Sequence, residues 1–302
     1  MRRGFITIAT GKEEYYQLAQ NLLHSYRYFC KEPMPFAILC DRENEYIKEF
    51  EDVIIYNNSA KNSYLDKLSL GEHLPYDENI FIDADCLAYD NLNKLFDYFQ
   101  DADDFSCFGR VLPLDSKKGW FEYENLGELK SRVSYVVGLH GGIYYMRNCE
   151  TTKRVFESAK AFVSDYPKFK FKGKFDTPGD EPLIALAMAV NNCHPVPFQL
   201  KAICCYWEYV DCISIDITEG KAEVEIEPFI NTILLHWGTR YTRGLEYHRQ
   251  IELLEILKYD SDNKTDSIAK CKKYYDRMLV VENCKKLRKR VKHKMKRILG
   301  MK

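Results

Sequence analysis

The hydrophobic pattern of the first part of the chain alternates between short apolar runs and amphipathic stretches. Four runs have the length and the β-branched or aromatic content of buried strands, at residues 4–9, 35–40, 53–56 and 79–87. Two other stretches place apolar side chains at helical spacing, at residues 13–29 and 63–73. This alternation predicts an α/β fold in which helices cover both faces of a mainly parallel sheet.

The later part of the chain has a less regular pattern. Residues 105–109 and 142–146 have strand patterns, which return within residues 211–235. Residues 180–190 predict a helix, with Asp180 as its N-cap. The pattern of this part of the chain is therefore mixed and does not repeat one strand and one helix.

A change of composition near residue 245 predicts two parts in the chain. Residues 1–245 contain the strand patterns, whereas the region after them is charged and helical. A chain of 302 residues is long enough for one large α/β domain with an appendage. We therefore expect a domain at residues 1–245 and a helical extension at residues 246–302.

The end of the chain is strongly basic. Residues 285–302 contain ten Lys or Arg and no acid, so the net charge of -1 for the whole chain leaves -11 for residues 1–284. An acidic body argues against nucleic-acid binding. The apolar residues of this tail recur at helical spacing, and a basic amphipathic helix is typical of a segment that lies on an anionic membrane surface. They are Leu287, Val291, Met295, Ile298 and Leu299.

The cysteines and the apolar runs indicate the compartment. The eleven cysteines include no pair spaced by two residues, and the adjacent pair Cys204 and Cys205 does not have a zinc or redox spacing. No apolar run reaches the roughly 18 residues of a transmembrane helix, and the first run lacks a signal-peptide cleavage site. We expect a cytoplasmic protein that contacts the cytoplasmic membrane face through its tail.

Two acids directly follow the apolar run that begins at Asn79. Asp83 and Asp85 stand two residues apart in IFIDADCL, so a strand continuing through them would present both carboxylates on one face. Open α/β sheets bind ligands at the carboxyl ends of strands, and buried carboxylates without partners are costly. Carboxylate oxygens suit Mn²⁺ or Mg²⁺. The pair therefore predicts a divalent-metal site that can bind a diphosphate.

In this order of elements the sequence resembles glycosyltransferase family 8, the glycogenin and galactosyltransferase-like family, and more loosely the whole GT-A superfamily. The resemblance spans roughly residues 4–245. It implies a GT-A fold, a Rossmann-like mixed sheet flanked by helices. It also implies a nucleotide-sugar donor, in that family a UDP-sugar, a divalent metal, and transfer with retention of anomeric configuration.

The resemblance also implies which residues bind the donor and the metal. The residues expected to contact the nucleotide are Ala9, Thr10 and Gly11 after the first strand and Asp41 after the second. Those expected to contact the phosphates and the sugar are Lys67, Asp83, Ala84, Asp85, Gly141, Gly142 and Gly238. The metal ligands are Asp83, Asp85 and His236, and the reacting sugar faces Asp180 and Glu181.

The sequence departs from the family pattern at three places. His140 precedes the two glycines of LHGGIYYMR, and Glu181 follows Asp180 where the family has glutamine. The lysine that grips the diphosphate is missing after Gly238, so Arg240 or Arg243 is the expected substitute. If the reaction inverts the sugar instead of retaining it, Asp180 or Glu181 is a candidate general base.

We therefore expect a metal-dependent glycosyltransferase whose acceptor is a glycan or a lipid-linked sugar. An apolar strand before Asp-x-Asp also resembles the nucleophile strand of haloacid dehalogenase-like phosphohydrolases, although about 80 residues precede it here. A sugar nucleotidyltransferase is disfavoured because the first turn lacks a glycine-rich, arginine-containing signature. A non-catalytic protein that binds nucleotide-sugars on the same fold is the third alternative.

Overall fold

The structure is a computed structural model that describes residues 1–56, 63–171, 178–259 and 263–298. In the last helix, side chains are described through residue 282 and at residues 284 and 288. The strands within these ranges are β1 (Arg3–Ala9), β2 (Phe36–Cys40), β3 (Asp52–Ile55), β4 (Glu78–Ile82), β5 (Cys86–Ala88), β6 (Phe105–Leu112), β7 (Val136–Arg147), β8 (Val196–Pro197), β9 (Ile203–Cys205), β10 (Ile213–Asp216), β11 (Lys221–Val224), β12 (Ile230–Asn231) and β13 (Leu234–His236).

Helices connect and cover these strands. The α-helices are α1 (Glu13–Phe29), α2 (Glu150–Ala161), α3 (Tyr166–Phe169), α4 (Asp180–Val190), α5 (Tyr206–Tyr209), α6 (Leu245–Tyr259) and α7 (Lys264–Ile298). Shorter 3-10 helices lie at Glu45–Ile47, Ser63–Glu72, Leu92–Phe99, Tyr123–Asn125, Gly127–Arg132 and Ile217–Glu219. No described helix has the length and apolar character needed to cross a bilayer.

Within the described residues, the central sheet has seven strands in the order β3-β2-β1-β4-β7-β6-β8. Strands β3, β2, β1 and β4 pair in parallel, whereas β7 runs antiparallel to both β4 and β6. Every residue of β2 and β4 is buried, which explains why β2 is a continuous apolar run and why β4 ends in one at Ile80–Ile82. The predicted mixed α/β sheet flanked by helices is confirmed.

Each face of the central sheet has its own core. On one face, α1 buries Leu22 and Tyr26 against strand residues such as Phe5 and Phe36. On the other face, α2 and α4 cover Ile6 and Phe81, and all of α4 except Glu181 is buried. Each Å² of apolar surface that is buried contributes about 25 cal/mol, so these two cores are the main source of the protein's stability.

Two small sheets lie beside the central one. Strands β10, β11 and β12 form an antiparallel sheet. Strand β13 lies between β5 and β9, so that His236 pairs with Cys86 on one side and with Cys205 on the other. Helix α6 buries Leu253 and Leu254 in a third core with Trp237.

Two local expectations were wrong. The predicted strand at residues 79–87 ends at Ile82, because Cys86 N–H donates to the Asp83 carbonyl at 3.1 Å and closes a turn before β5. Asp83 and Asp85 therefore lie in a turn. The N-cap of α4 is Gly179, so Asp180 is the first helical residue rather than the cap.

Candidate functional site

A cavity of about 320 Å³ opens beyond the carboxyl ends of β1 and β4, and we call it the acidic cavity. This is the edge at which open α/β sheets bind ligands. Its walls come from the ends of β1, β4 and β13 and from the starts of α4 and α5. The lining residues are Ile8, Thr10, Tyr15, Leu18, Tyr64, Lys67, Asp83, Ala84, Asp85, Gly179, Asp180, Glu181, Pro182, Trp207, His236, Gly238 and Thr239.

The two acids of the turn converge on one histidine. His236 Nε2 lies 3.0 Å from Asp85 Oδ1 and 3.8 Å from Asp83 Oδ2. All three side chains are largely buried, with exposures of 12–18%. The turn thus brings both carboxylates to the same histidine, although a continuous strand was predicted here.

Backbone hydrogen bonds hold these three residues in place. Asp83 N–H donates to the Gly142 carbonyl at 3.0 Å, and Trp237 N–H donates to the Asp85 carbonyl at 3.0 Å. The first bond ties the turn to β7 and the second ties it to the end of β13. Residues far apart in sequence are therefore fixed to one another through main-chain contacts.

Lys67 lies between the acids of the turn and those of α4. Its Nζ is 2.9 Å from Asp83 Oδ1 and 3.0 Å from Asp180 Oδ2, and it donates to the Gly141 carbonyl at 3.3 Å. Burial alone would lower the pKa of Lys67, but the charges of Asp180 and Asp83 outweigh it and raise the pKa above its ordinary value. Lys67 is thus a buried cation that balances two carboxylates.

The pKa values of the two aspartates in the turn are shifted in opposite directions. Burial raises the pKa of Asp83, and the neighbouring Asp85 adds to this rise. Burial also acts on Asp85 and His236, but their mutual attraction and hydrogen bond outweigh it, lowering the pKa of Asp85 and raising that of His236. Asp85 and His236 therefore behave as an ion pair, while the ionised form of Asp83 is disfavoured by burial and favoured by the charge of Lys67.

The pair at the start of α4 lies on the opposite wall. Asp180 is buried and accepts a hydrogen bond from Tyr144 Oη at 3.2 Å. Glu181 Oε1 accepts from Gly141 N–H at 2.7 Å. Burial, and then the charge of Asp180, raises the pKa of Glu181 to about 7. Glu181 is therefore a carboxyl that changes charge near neutral pH.

The donor groups of the turn fit a hard divalent cation. The two carboxylates supply the oxygen ligands that Mn²⁺ and Mg²⁺ prefer, His236 adds one nitrogen, and the lined cavity leaves room for further oxygen ligands from a bound molecule. Cys86 lies close to Asp85 and His236 as well. Its thiol is fully buried, and burial raises its pKa well above the ordinary value, so it remains a thiol beside the carboxylates.

The turn that follows β1 is hydrogen-bonded to Asp41, the residue that follows β2. Gly11 has a φ of +74°, which favours glycine, and its N–H donates to Asp41 Oδ2 at 3.1 Å. Asp41 also accepts from Tyr16 Oη. Thr10 lines the acidic cavity, and its hydroxyl donates to Asp66 Oδ2 at 2.5 Å. Ala9, Gly11 and Asp41 are not among the lining residues.

The structure separates the two arginines from the acidic cavity. Arg243 forms a bidentate pair with Glu14 at 2.8 and 2.9 Å. Arg240 lines a neighbouring cavity and lies over the ring of Tyr241. Gly238, with a φ of +71°, turns the chain beside Trp207, where an added Cβ would lie 3.0 Å from the indole. The sequence gives no signal for this placement because it depends on the turn at Gly238.

Sequence reasoning missed the contacts that His140 and Trp207 make in this site. His140 Nε2 lies 2.9 Å from Cys205 Sγ and 3.4 Å from His236 Nδ1. Burial lowers the pKa of His140 to about 3, so its ring is neutral. The Trp207 ring lies edge-on to His236, with centroids 4.9 Å apart. His140 was visible as a departure from the family pattern, whereas Trp207 had no local signal.

Comparison with known proteins identifies the fold. No protein-family model matches the chain, and no curated protein matches its sequence. Among solved structures it is similar to galactosyltransferase LgtC in complex with donor and acceptor sugar analogues, with 12% identity and a TM-score of 0.55 over 87% of this chain and 99% of that one. An active-site mutant of LgtC gives 12% identity and a TM-score of 0.53 over 88% and 99%. The chain therefore has the mixed α/β GT-A fold of glycosyltransferases.

Proposed function

We propose that this protein is a metal-dependent glycosyltransferase that moves a sugar from a nucleotide-sugar, a UDP-sugar by resemblance to family 8, to a glycan or lipid-linked acceptor. The observation that carries the proposal is the convergence of Asp83, Asp85 and His236 at the carboxyl end of β4. The GT-A fold favours this reaction over the phosphohydrolase alternative.

Asp83, Asp85 and His236 would hold Mn²⁺ or Mg²⁺. The cation supplies Lewis-acid stabilisation of the negative charge on a nucleoside diphosphate leaving group. Lys67, which bridges Asp83 and Asp180, would be close enough to bind a phosphate oxygen as well. We assign Ala84, Gly141, Gly142 and Gly238 to the same donor-binding wall.

Asp180 and Glu181 would face the reacting sugar. Both belong to the first turn of α4, on the wall opposite the metal ligands, and Lys67 links that turn to Asp83. We propose retention of configuration by resemblance to family 8. A carboxyl at Glu181 whose pKa is about 7 can stabilise positive charge on the sugar when ionised.

The nucleotide would lie across the first turn. Thr10 lines the acidic cavity, while Asp41 holds the Gly11 N–H and orients that turn. Ala9 is buried at the end of β1, and its small side chain would let the neighbouring backbone approach the nucleotide. Arg240 and Arg243 stand outside this cavity, and we propose that one of them reaches the diphosphate only after its present contact breaks.

A second cavity, of about 1230 Å³, favours a glycan as the acceptor. It lies behind the loop that carries His236, and its walls include Tyr206, Tyr241 and Asp211. Aromatic faces and carboxylates are the groups that pack against sugar rings and accept hydrogen bonds from hydroxyls. The cavity is large enough for several sugar units.

We propose that residues 246–302 form an extension to the catalytic domain of residues 1–245 and that the basic tail binds anionic membrane. The helix α7 continues to Ile298, and the apolar tail residues named above lie outside the described side chains. The proposal rests on the ten basic residues of the tail and on the helical spacing of its apolar residues. It places the protein at the cytoplasmic membrane face.

A donor screen tests the transferase proposal. Purified protein would be incubated with Mn²⁺ and each of a set of UDP- and GDP-sugars, and nucleoside diphosphate release would be followed with and without oligosaccharide acceptors. We expect release from a UDP-sugar that is lost in Asp85→Asn. Binding of a donor without any turnover would indicate the non-catalytic alternative, and no binding of any donor would contradict both.

A further inference from the structure

Next to the two carboxylates lies a second group of possible metal ligands, which we call the His–Cys–His cluster: His140, Cys205 and His236. Their ligand atoms all lie within 4.8 Å of one another. His140 Nε2 is 2.9 Å from Cys205 Sγ and 3.4 Å from His236 Nδ1. Cys205 is 2% exposed, and His236 reaches the acidic cavity, which gives an ion a path of entry.

We propose that the His–Cys–His cluster binds a soft transition-metal ion, with Zn²⁺ as the natural candidate. Two imidazole nitrogens and a thiolate suit zinc, whereas Mn²⁺ and Mg²⁺ prefer oxygen. In a tetrahedral zinc site the nitrogens lie about 3.4 Å apart, and nitrogen and sulfur about 3.6 Å apart. The first distance is already present, and the second requires Cys205 Sγ to move outward by a fraction of an ångström.

Zinc binding requires three protons to move. Cys205 releases its thiol proton to solvent and binds as a thiolate, and His236, the cation of the pair with Asp85, releases its Nδ1 proton to solvent. His140 Nδ1 now accepts from Gly142 N–H at 3.2 Å, so Nε2 carries a proton; zinc binding moves that proton to Nδ1, and both the bond from Gly142 and the bond from Nε2–H to Cys205 Sγ are lost. These hydrogen bonds contribute far less than coordination of zinc by thiolate and imidazole.

Both proposed metal sites use His236, so zinc and Mn²⁺ would compete for this residue. Zinc at Nδ1 leaves the proton of His236 on Nε2, which faces Asp85 Oδ1 at 3.0 Å and donates to it. The Asp83–Asp85 site then loses its nitrogen ligand. Zinc would therefore weaken the binding of Mn²⁺ without occupying the Mn²⁺ position. The zinc site itself does not depend on the proposed transfer reaction.

Cobalt titration of the metal-free full-length protein tests the cluster. Co²⁺ replaces Zn²⁺ and reports a bound thiolate by its near-ultraviolet charge-transfer absorption. We expect one cobalt per chain, displaced by Zn²⁺, and a loss of at least about 100-fold in affinity in Cys205→Ser and in His140→Gln. Cys204→Ser is the matched control, because Cys204 is the adjacent buried residue of β9 and packs in the third core with Trp237.

Asp85→Asn separates this proposal from the transferase proposal. It should abolish Mn²⁺ binding and keep the cobalt absorption. An absorption that survives Cys205→Ser, or that disappears equally in Cys204→Ser, would overturn the assignment, as would the absence of any thiolate absorption in the wild type. Wild-type protein that binds cobalt at the cluster but neither Mn²⁺ nor UDP would sink the transferase proposal alone.

Discussion

At the scale of single residues, most of the acids in the acidic cavity lie beside a positively charged side chain. Lys67 balances Asp83 and Asp180, and His236 balances Asp85. Glu181 lacks a cation of its own within salt-bridge distance among the described side chains, and its carboxylate is held by Gly141 N–H. Burying such a group costs free energy when it ionises, which is the cause of its raised pKa.

This cost predicts how stability depends on pH. Glu181 ionises at about 4.5 in the unfolded chain and at about 7 in the folded protein, so the folded state holds the extra proton between these values. The free energy of unfolding therefore loses up to about 3 kcal/mol from this group as pH rises through that window. Glu181→Gln removes this pH-dependent loss. Measured by urea unfolding, the free energy of unfolding of the variant should therefore rise relative to that of the wild type from pH 5 to pH 8. An equal difference at both pH values would contradict the raised pKa.

At the scale of elements, β7 positions the site through its glycines. Gly142 leaves space for two imidazoles, since an added Cβ would lie 2.7 Å from His140 Cε1 and 2.8 Å from His236 Nδ1. At Gly138, on the same strand, the nearest atom would be Leu112 Cδ1 at 3.3 Å, the end of a flexible side chain. The same substitution therefore has different consequences at the two positions.

We expect Gly142→Ala to weaken Mn²⁺ binding by about 10- to 100-fold, because both rings must shift. Gly138→Ala should leave Mn²⁺ binding unchanged. Isothermal titration with Mn²⁺ measures both affinities, and circular dichroism checks that both variants fold. Equal affinity in the two variants would show that β7 does not position the metal ligands.

The elements also show what sequence could and could not predict. The run at 13–29 coincides with α1, and the apolar strands were found because parallel strands are buried on both faces. The end of β4 was missed because a turn closed by one backbone bond leaves no hydrophobic signal. The pairing of His236 with Cys205 depends on the register of β13 and β9, which are distant in sequence.

At the scale of the whole molecule, charge is divided between an acidic body and a basic tail. Residues 285–302 carry +10 and the rest of the chain -11. We expect the full chain to float with vesicles containing anionic phospholipid at low salt, and a chain truncated after residue 283 to lose this binding at least about tenfold. Vesicles of neutral phospholipid are the control. Equal flotation of both chains would show that the tail does not bind membrane.

The proposed role of the turn between β4 and β5 is to bind a nucleoside diphosphate through a metal held by Asp83, Asp85 and His236. Calorimetric titration with UDP, with and without Mn²⁺, measures this binding. We expect UDP binding that requires Mn²⁺ and falls by about 100-fold or more in Asp85→Asn, while the fold is retained. UDP binding of equal strength without Mn²⁺, or in Asp85→Asn, would contradict it.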